Sequence, residues 1–200
     1  MYGHVKRALD FVLALVALAV LSPLLLLIAL LVRVTSPGPA LFRQKRVGIR
    51  KTHFMIYKFR TMRTDTPKDQ PTHLLQNPDA YITPVGRVLR ATSLDELPQL
   101  FNILKGEMAV VGPRPALWNQ YDLIAARDAV GANDVRPGLT GWAQINGRDE
   151  LPIPVKARLD GEYVRRMSFA FDLRCVLGTV LKVALREGVV EGARGDDKRD

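Results

Sequence analysis

The sequence predicts a mainly α protein with a small β-hairpin, an α+β class. An N-terminal re-entrant membrane helix-break-helix precedes a compact cytoplasmic domain with interfacial amphipathic helices. Three observations lead there. Residues 11–32 carry no charge. Residues 40–46 and 53–60 alternate roughly and are rich in aromatic and β-branched side chains on either side of a turn. From Leu97 onward, apolar residues recur at helical spacing (Leu97, Leu100, Phe101, Leu104), and again across residues 169–186. Two hundred residues with 48% hydrophobic content suffice for one domain plus an accessory segment. The formal charge of +9 points to polyanionic partners: nucleic acid, anionic lipid or phosphorylated substrates. One cysteine, Cys175, excludes an internal disulfide and a cysteine-rich metal site, and the histidines at 4, 53 and 73 have no metal-ligand spacing.

As a straight helix, residues 11–32 would be about 33 Å long, enough for a bilayer core of roughly 30 Å, so a simple span is the plain alternative. Ser22-Pro23 falls in the middle, where proline removes a backbone hydrogen bond and clashes with the carbonyl of Ala19. The Ser22 hydroxyl can bond back one turn and soften that break. Lys6 and Arg7 precede the run, while Arg33, Arg43, Lys45, Arg46, Arg50 and Lys51 follow it. Positive charge on both flanks fits a hairpin with both ends cytoplasmic. The segment 1–36 is therefore read as re-entrant, with Ser22 and Pro23 as the break and Asp10 paired with Lys6 or Arg7 one turn back.

The turn-rich residues 35–39 lead into the hairpin, whose turn is expected near residues 47–51 and whose exposed face is basic. In its second strand Lys58 and Arg60 share one side, Tyr57 and Phe59 the other. Residues 64–80, with Pro67, Pro71 and Pro78, read as a mobile loop.

Thr92-Ser93-Leu94-Asp95-Glu96-Leu97-Pro98-Gln99-Leu100 places adjacent carboxylates at an expected helix start. Ser93 and Glu96 have capping-box spacing, and Pro98 fits a first turn. Both acids would then lie at the positive end of the helix dipole and stay ionised. A solvated, charge-biased turn is the alternative. The helix is expected to end at Gly106, and 110–115 reads as a buried strand followed by a rigid turn presenting Arg114 for phosphate. Residues 118–130 read as helical. The glycine-rich residues 136–148 would let backbone amides approach a nucleotide or diphosphate, or else form a structural turn cluster. Residues 156–166 and 169–186 read as two more helices, the second with a wide apolar face for a membrane interface or a core. Cys175 within it reads as a buried small residue. Residues 191–200 read as a disordered tail.

Taken together, Lys6-Arg7 with Asp10, Ser22-Pro23, Phe42-Arg43-Gln44-Lys45-Arg46-Val47-Gly48, the stretches 57–62 and 92–100, Lys105-Gly106-Glu107-Met108, 112–115, 136–147 and Asp160 with Tyr163-Val164 resemble the bacterial sugar transferases. These are monotopic phosphoglycosyl transferases acting on polyprenyl phosphate. The resemblance covers nearly the whole chain and makes 37–190 a cytoplasmic catalytic domain at the bacterial inner membrane. It implies transfer of a sugar 1-phosphate from a UDP-sugar to undecaprenyl phosphate with release of UMP. Asp95 is then the nucleophile that forms a phosphosugar-aspartyl intermediate, and Glu96 holds Mg²⁺. Lys58, Arg60, Arg90, Arg114 and Arg136 become candidates for phosphate, and Asp160 and Asp172 acidic positions of unassigned role. Membrane lipids are implied partners, nucleic acid is not, and a homodimer is left open. The alternative is a non-catalytic, membrane-tethered basic module binding anionic lipid or nucleic acid; no nucleic-acid fold signature supports it.

Overall fold

The computed structural model describes residues 2–67, 77–147 and 151–184. Its first element is α1 (Tyr2–Thr35), one helix of 34 residues that contains Pro23. The expected break does not divide it. Proline at 23 leaves the Ala19 carbonyl without its usual backbone donor. The Ser22 hydroxyl donates to that same oxygen at 2.9 Å, so the acceptor is satisfied and helical structure carries on.

One stripe of α1 is buried: Lys6, Asp10, Ala14, Leu18, Ile28 and Val32. Steps of four keep neighbouring members on one slowly winding face. Ala14 and Leu18 pack with Phe54, Ile56, Leu100, Ile103 and Met108, while Ile28 and Val32 pack with Phe59 and Leu89. The other side exposes an apolar surface that includes Val12, Val16, Val20, Leu26 and Leu30. By length and composition this helix is apolar enough to cross a membrane, and so large an outward apolar face suits a lipid environment.

Both ends of α1 are fastened to the same domain. Near the start, Lys6 donates to Asp172 at 2.7 Å and reaches Asp10 at 3.4 Å, as its i,i+4 spacing implied. Asp10 also accepts the Val110 N–H at 3.1 Å, and the hydroxyls of Tyr2 and Tyr163 donate to Asp172 at 2.7 and 2.8 Å. Arg7 donates to the carbonyls of Ile103 and Leu104 at 2.6 and 2.9 Å. Beyond the far end, the buried Arg60 guanidinium donates to the Ser36 hydroxyl and to the carbonyls of Ser36, Pro37 and Pro39, all at 2.7 or 2.8 Å.

The hairpin forms as expected from β1 (Leu41–Val47) and β2 (His53–Phe59), antiparallel, with Leu41 opposite Phe59 and Val47 opposite His53. Phe54 and Ile56 face the core, and Arg43 and Lys45 are exposed. Helix α2 (Pro84–Ala91) was not foreseen, although Thr83 followed by Pro84 is a start signal: the Thr83 hydroxyl accepts the Gly86 N–H at 3.0 Å. A Cβ on Gly86 would lie 2.0 Å from the Thr61 carbonyl oxygen, so glycine is what lets α2 dock there.

Helix α3 (Gln99–Lys105) ends at Gly106, left-handed at φ 82°, as expected. The short strand β3 (Ala109–Val111) pairs in parallel with β4 (Gly138–Thr140). Part of the glycine-rich stretch thus becomes strand, and the following α5 (Trp142–Ile145) is a short helix. The physical reason is contact: a Cβ on Gly138 would lie 2.1 Å from the Gly112 nitrogen. Helices α4 (Tyr121–Asp128), α6 (Ile153–Arg166) and α7 (Phe169–Ala184) complete the fold. Tyr163, Phe171, Cys175 and Val111 form a core there. Burial pushes the Cys175 thiol up to about 11, consistent with an inert side chain. The outer face of α7 exposes Phe169, Leu173, Leu177, Val180 and Leu181. Residues 68–76 of the expected loop, Arg148 and the expected tail 191–200 lie outside the described residues; Pro78–Ala80 is a 3₁₀ turn.

The Lys6–Asp172 pair makes a stability prediction. Asp172→Leu leaves the buried Lys6 with only the longer 3.4 Å contact to Asp10, and should cost about 3 kcal/mol. Adding Lys6→Met should recover much of that loss. Thermal unfolding in detergent micelles measures both; equal melting temperatures for wild type and Asp172→Leu would rule out the pair as the fastening.

Candidate active site

The acids expected at a helix mouth sit elsewhere. Ser93 is left-handed, φ 57° and ψ 15°, which is not an N-cap conformation, and its side chain makes no capping bond. Leu94–Glu96 form a separate 3₁₀ turn before α3 begins at Gln99. The capping box is therefore absent. A 3₁₀ turn advances about a third of a turn per residue, so the two neighbouring carboxylates point in well separated directions.

Asp95 faces a cleft of about 650 Å³. Arg33, Arg43, Arg46, Lys58, Arg60, Arg63 and Arg90 line it, and among its described lining residues Asp95 is the one acid. Only 8% of Asp95 is exposed, and burial pushes its carboxyl up to about 6, against the pull of Lys58 and with some push from Glu96. The expectation of a dipole-stabilised carboxylate is overturned because desolvation outweighs it. At neutral pH Asp95 is still mostly ionised, yet poorly solvated.

Glu96 turns the other way. It takes Lys58 at 2.6 Å and Arg114 at 2.9 Å. Burial pushes its carboxyl up, but Arg114 and then Lys58 more than offset this and hold it well below the usual carboxylate range. Two adjacent acids whose pKa values are driven apart are suited to different tasks.

The elements that fix this geometry were mostly not foreseen. Lys58 comes from β2, which the buried Asn102 of α3 grips: the Asn102 amide donates to the Met55 carbonyl at 2.8 Å and accepts the Tyr57 N–H at 3.0 Å. Arg114 sits in the expected rigid turn, and its carbonyl accepts from Arg127 at 2.9 Å. Arg127 in turn pairs with Asp160 at 2.7 Å, with Asp160 1% exposed. Burial pushes the Asp160 carboxyl up against the pull of Arg127. Asp160 thus acts on the site through Arg127 and the Arg114 backbone. No local pattern marks these roles of Asn102 and Arg127, because the β2 backbone that Asn102 grips lies 45 and 47 residues away and Asp160 lies 33 from Arg127.

Of the other sequence candidates, Lys58, Arg90 and Arg114 gather around the two acids. Arg60 reaches the cleft wall, but four of its N–H contacts go to the segment after α1, and burial lowers its pKa. Arg136 donates to the Gly106 carbonyl at 2.9 Å, and Asp172 belongs to the α1 fastening. These two stand apart from the acid pair.

No group of three or more acidic, histidine or cysteine side chains capable of holding a metal occurs among the described residues. A cage made by protein alone is thereby absent from them. The donor set fits Mg²⁺ in its other usual mode, one or two carboxylates completed by substrate phosphates, because Glu96 stays ionised and its two cations can be shared with phosphate.

The chain matches the bacterial sugar transferase family over residues 1–186. It is 41% identical to the uncharacterized sugar transferase EpsL of Bacillus subtilis, covering 92% of this chain and 89% of that protein. It is 45% identical to a UDP-glucose:undecaprenyl-phosphate glucose-1-phosphate transferase of Caulobacter vibrioides, over 88% of this chain and 68% of that one. A protein of the same description in Escherichia coli is 43% identical over 88% of this chain, which spans only 39% of the relative's length. With the match running through α1, the Asp95 turn and the last described turn of α7, the chain belongs to the bacterial sugar transferase family.

Proposed function

We propose that this membrane-associated sugar transferase moves a sugar 1-phosphate from a UDP-sugar to undecaprenyl phosphate. The observation that carries the reading is Asp95, a buried carboxylate facing a cleft of about 650 Å³ lined by seven cationic side chains. A cationic cleft selects anionic, phosphate-bearing substrates. The relatives described as glucose-1-phosphate transferases supply the reaction class.

In the first step the Asp95 carboxylate attacks the β-phosphorus of the UDP-sugar. A bond forms between Asp95 Oδ and phosphorus, the bond to the bridging oxygen breaks, and UMP leaves with that oxygen and its electron pair. In the second step a phosphate oxygen of the acceptor attacks the same phosphorus. The aspartyl–phosphorus bond breaks, and Asp95 returns as a carboxylate beside a polyprenyl diphosphosugar. The partial desolvation of Asp95 leaves little water to reorganise before attack. Lys58 and Arg114 neutralise phosphate charge, with Arg90 lining the entry to Asp95. Glu96 would hold Mg²⁺ jointly with the donor's diphosphate; a bound Mg²⁺ supplies charge neutralisation to the departing monophosphate.

The docking of α1 supports a one-sided membrane arrangement. Its first turns contact Asp172 and the end of α3, and the segment after its last turn contacts Arg60. A helix with both ends on one domain keeps both on one side of the bilayer, so the undivided α1 has its two ends on the cytoplasmic side of the inner membrane and turns its apolar outer face to lipid. The basic flanks agree.

Three outcomes test this. Purified protein with UDP-glucose and other UDP-sugars, Mg²⁺ and undecaprenyl phosphate should release UMP, and Asp95→Asn should cut turnover by roughly 10³-fold or more; UDP as product would remove the aspartyl step. The second outcome is a pH-dependent stability. Asp95 titrates at about 6 in the folded state against an ordinary 3.8. A raised carboxyl pKa means the folded state prefers the proton, so stability is lost as pH rises between these values and stays lost above 6. In metal-free, substrate-free protein Asp95→Asn should therefore be more stable than wild type by about 3 kcal/mol at pH 8 and much less so at pH 4. A gain that does not vary with pH would show that burial is not what sets the Asp95 carboxyl. Third, Gly3→Cys, at an exposed position with open space, should resist an impermeant maleimide on intact spheroplasts and react after permeabilisation; labelling from outside would sink the cytoplasmic N-terminus.

A further inference from the structure

The cleft wall joins a buried acid to an exposed cation at the end of α1. Asp95 is the acid, and Arg33, in the last turn of the membrane helix α1, is the cation. Arg33 is exposed and has no acidic partner among the described residues. Asp95 is buried where Arg33 is exposed, so Arg33 stands at the outer part of the cleft wall. Arg33 therefore belongs to the approach to Asp95 and not to its immediate surroundings.

The helix surface leading up to Arg33 is apolar and outward-facing: Leu26, Leu27, Leu30 and Leu31 before it, and Val34 after it, are all exposed. A lipid chain lying on that surface would end at the first cation it meets. An acceptor whose tail is hydrocarbon and whose head is a phosphate must keep both in suitable surroundings as it travels from bilayer to nucleophile. The boundary between the leucine face and the cationic cleft satisfies both demands at one point.

We infer that Arg33 is the acceptor-capturing residue: its guanidinium receives the phosphate of the polyprenyl acceptor at the membrane edge, while the prenyl chain lies along the outward face of α1. The inference rests on the proposed transfer to undecaprenyl phosphate and adds to it the route of the second substrate. A guanidinium fits because it stays charged at any working pH and can grip a phosphate with two N–H groups. The donor needs no such residue, since a UDP-sugar reaches the cleft from water.

Two roles of a different kind are open to a cation at this position. It can pair with the carbonyl end of the helix dipole, or it can hold anionic headgroups in general. Neither distinguishes the acceptor from bulk lipid, and that difference makes the test.

Arg33→Met and Arg33→Lys are compared with wild type in three assays. The first is UMP release from UDP-glucose and other UDP-sugars without acceptor, read as a single-turnover burst. The second is the affinity for undecaprenyl phosphate in mixed micelles, together with its KM and the kcat. The third is co-sedimentation with vesicles containing anionic lipid. Arg33→Met should alter the burst and the vesicle binding far less than it alters acceptor binding. It should weaken undecaprenyl phosphate binding and raise its KM roughly tenfold with little change in kcat, and Arg33→Lys should restore most of the loss. An unchanged acceptor affinity in Arg33→Met overturns the assignment, as does a loss of vesicle binding equal to the loss of acceptor binding. Should wild type give no burst while Arg33→Met still weakens acceptor binding, the aspartyl step falls and the assignment of Arg33 stands.

Discussion

The Glu96 carboxylate, held between Lys58 and Arg114, is the interaction on which the site's arrangement depends. Its three members come from β2, from the 3₁₀ turn before α3 and from the turn after β3. Each is weakly determined by its neighbours in sequence. A charge pair taken out of water is costly unless the geometry is good and the remaining donors and acceptors are satisfied. Here the geometry is enforced from behind: Asn102 grips β2, and the Arg127–Asp160 pair grips the backbone of Arg114. The supporting residues lie deeper than the residues they support, which is how a polar site keeps its shape beside a solvent-filled cleft.

With Glu96 occupied in this way, Asp95 is left as the acid of the cleft. Lys58 and Arg114 hydrogen-bond Glu96 and hold it ionised, whereas on Asp95 they and Arg90 act through charge alone and do not offset its burial. The two acids share a backbone turn and nearly share an electrostatic field, yet their protons are bound very differently. The left-handed Ser93 at the head of that turn is a conformation that most residues avoid, and such departures concentrate where function requires a fixed direction for a side chain. Stability and the proposed reactivity are in opposition at Asp95, since ionisation is disfavoured by the fold and required by the attack proposed for it.

Much of the architecture was legible because it rests on short-range patterns. The alternation around the hairpin turn and the glycine after Lys105 each produced the expected element, and the uncharged run produced a long apolar helix without the expected division. Asp95 and Glu96 were legible as an unusual adjacency among arginines. What could not be read is what depends on contact across the chain. Arg60 and Arg136 look like phosphate ligands in sequence because arginine gives no sign of whether its fork will meet a ligand or a carbonyl. The capping box failed because Ser93 needs an extended backbone to cap and has a left-handed one. The glycines near 138 serve the close approach of β3 and β4, a parallel pairing that no hairpin signal announces. At Pro23 the local rule was right about the missing hydrogen bond, and the neighbouring serine supplied the substitute.

The fastening of α1 has a consequence for how the protein is made. Lys6 and Asp10 leave the ribosome among the first residues, but the Asp172 that neutralises Lys6 is 166 positions later. Until Asp172 is made, Lys6 has only Asp10 as a carboxylate partner, and the start of α1 must stay where water can solvate that charge. The Lys6 end of α1 is neutralised by Asp172 only once α7 is made, whereas the cleft residues and the apolar partners of α1 are in place much earlier in the chain. Contacts of such long sequence separation form late, after local structure. The order of events makes the bilayer the first scaffold of this fold and the soluble domain its second.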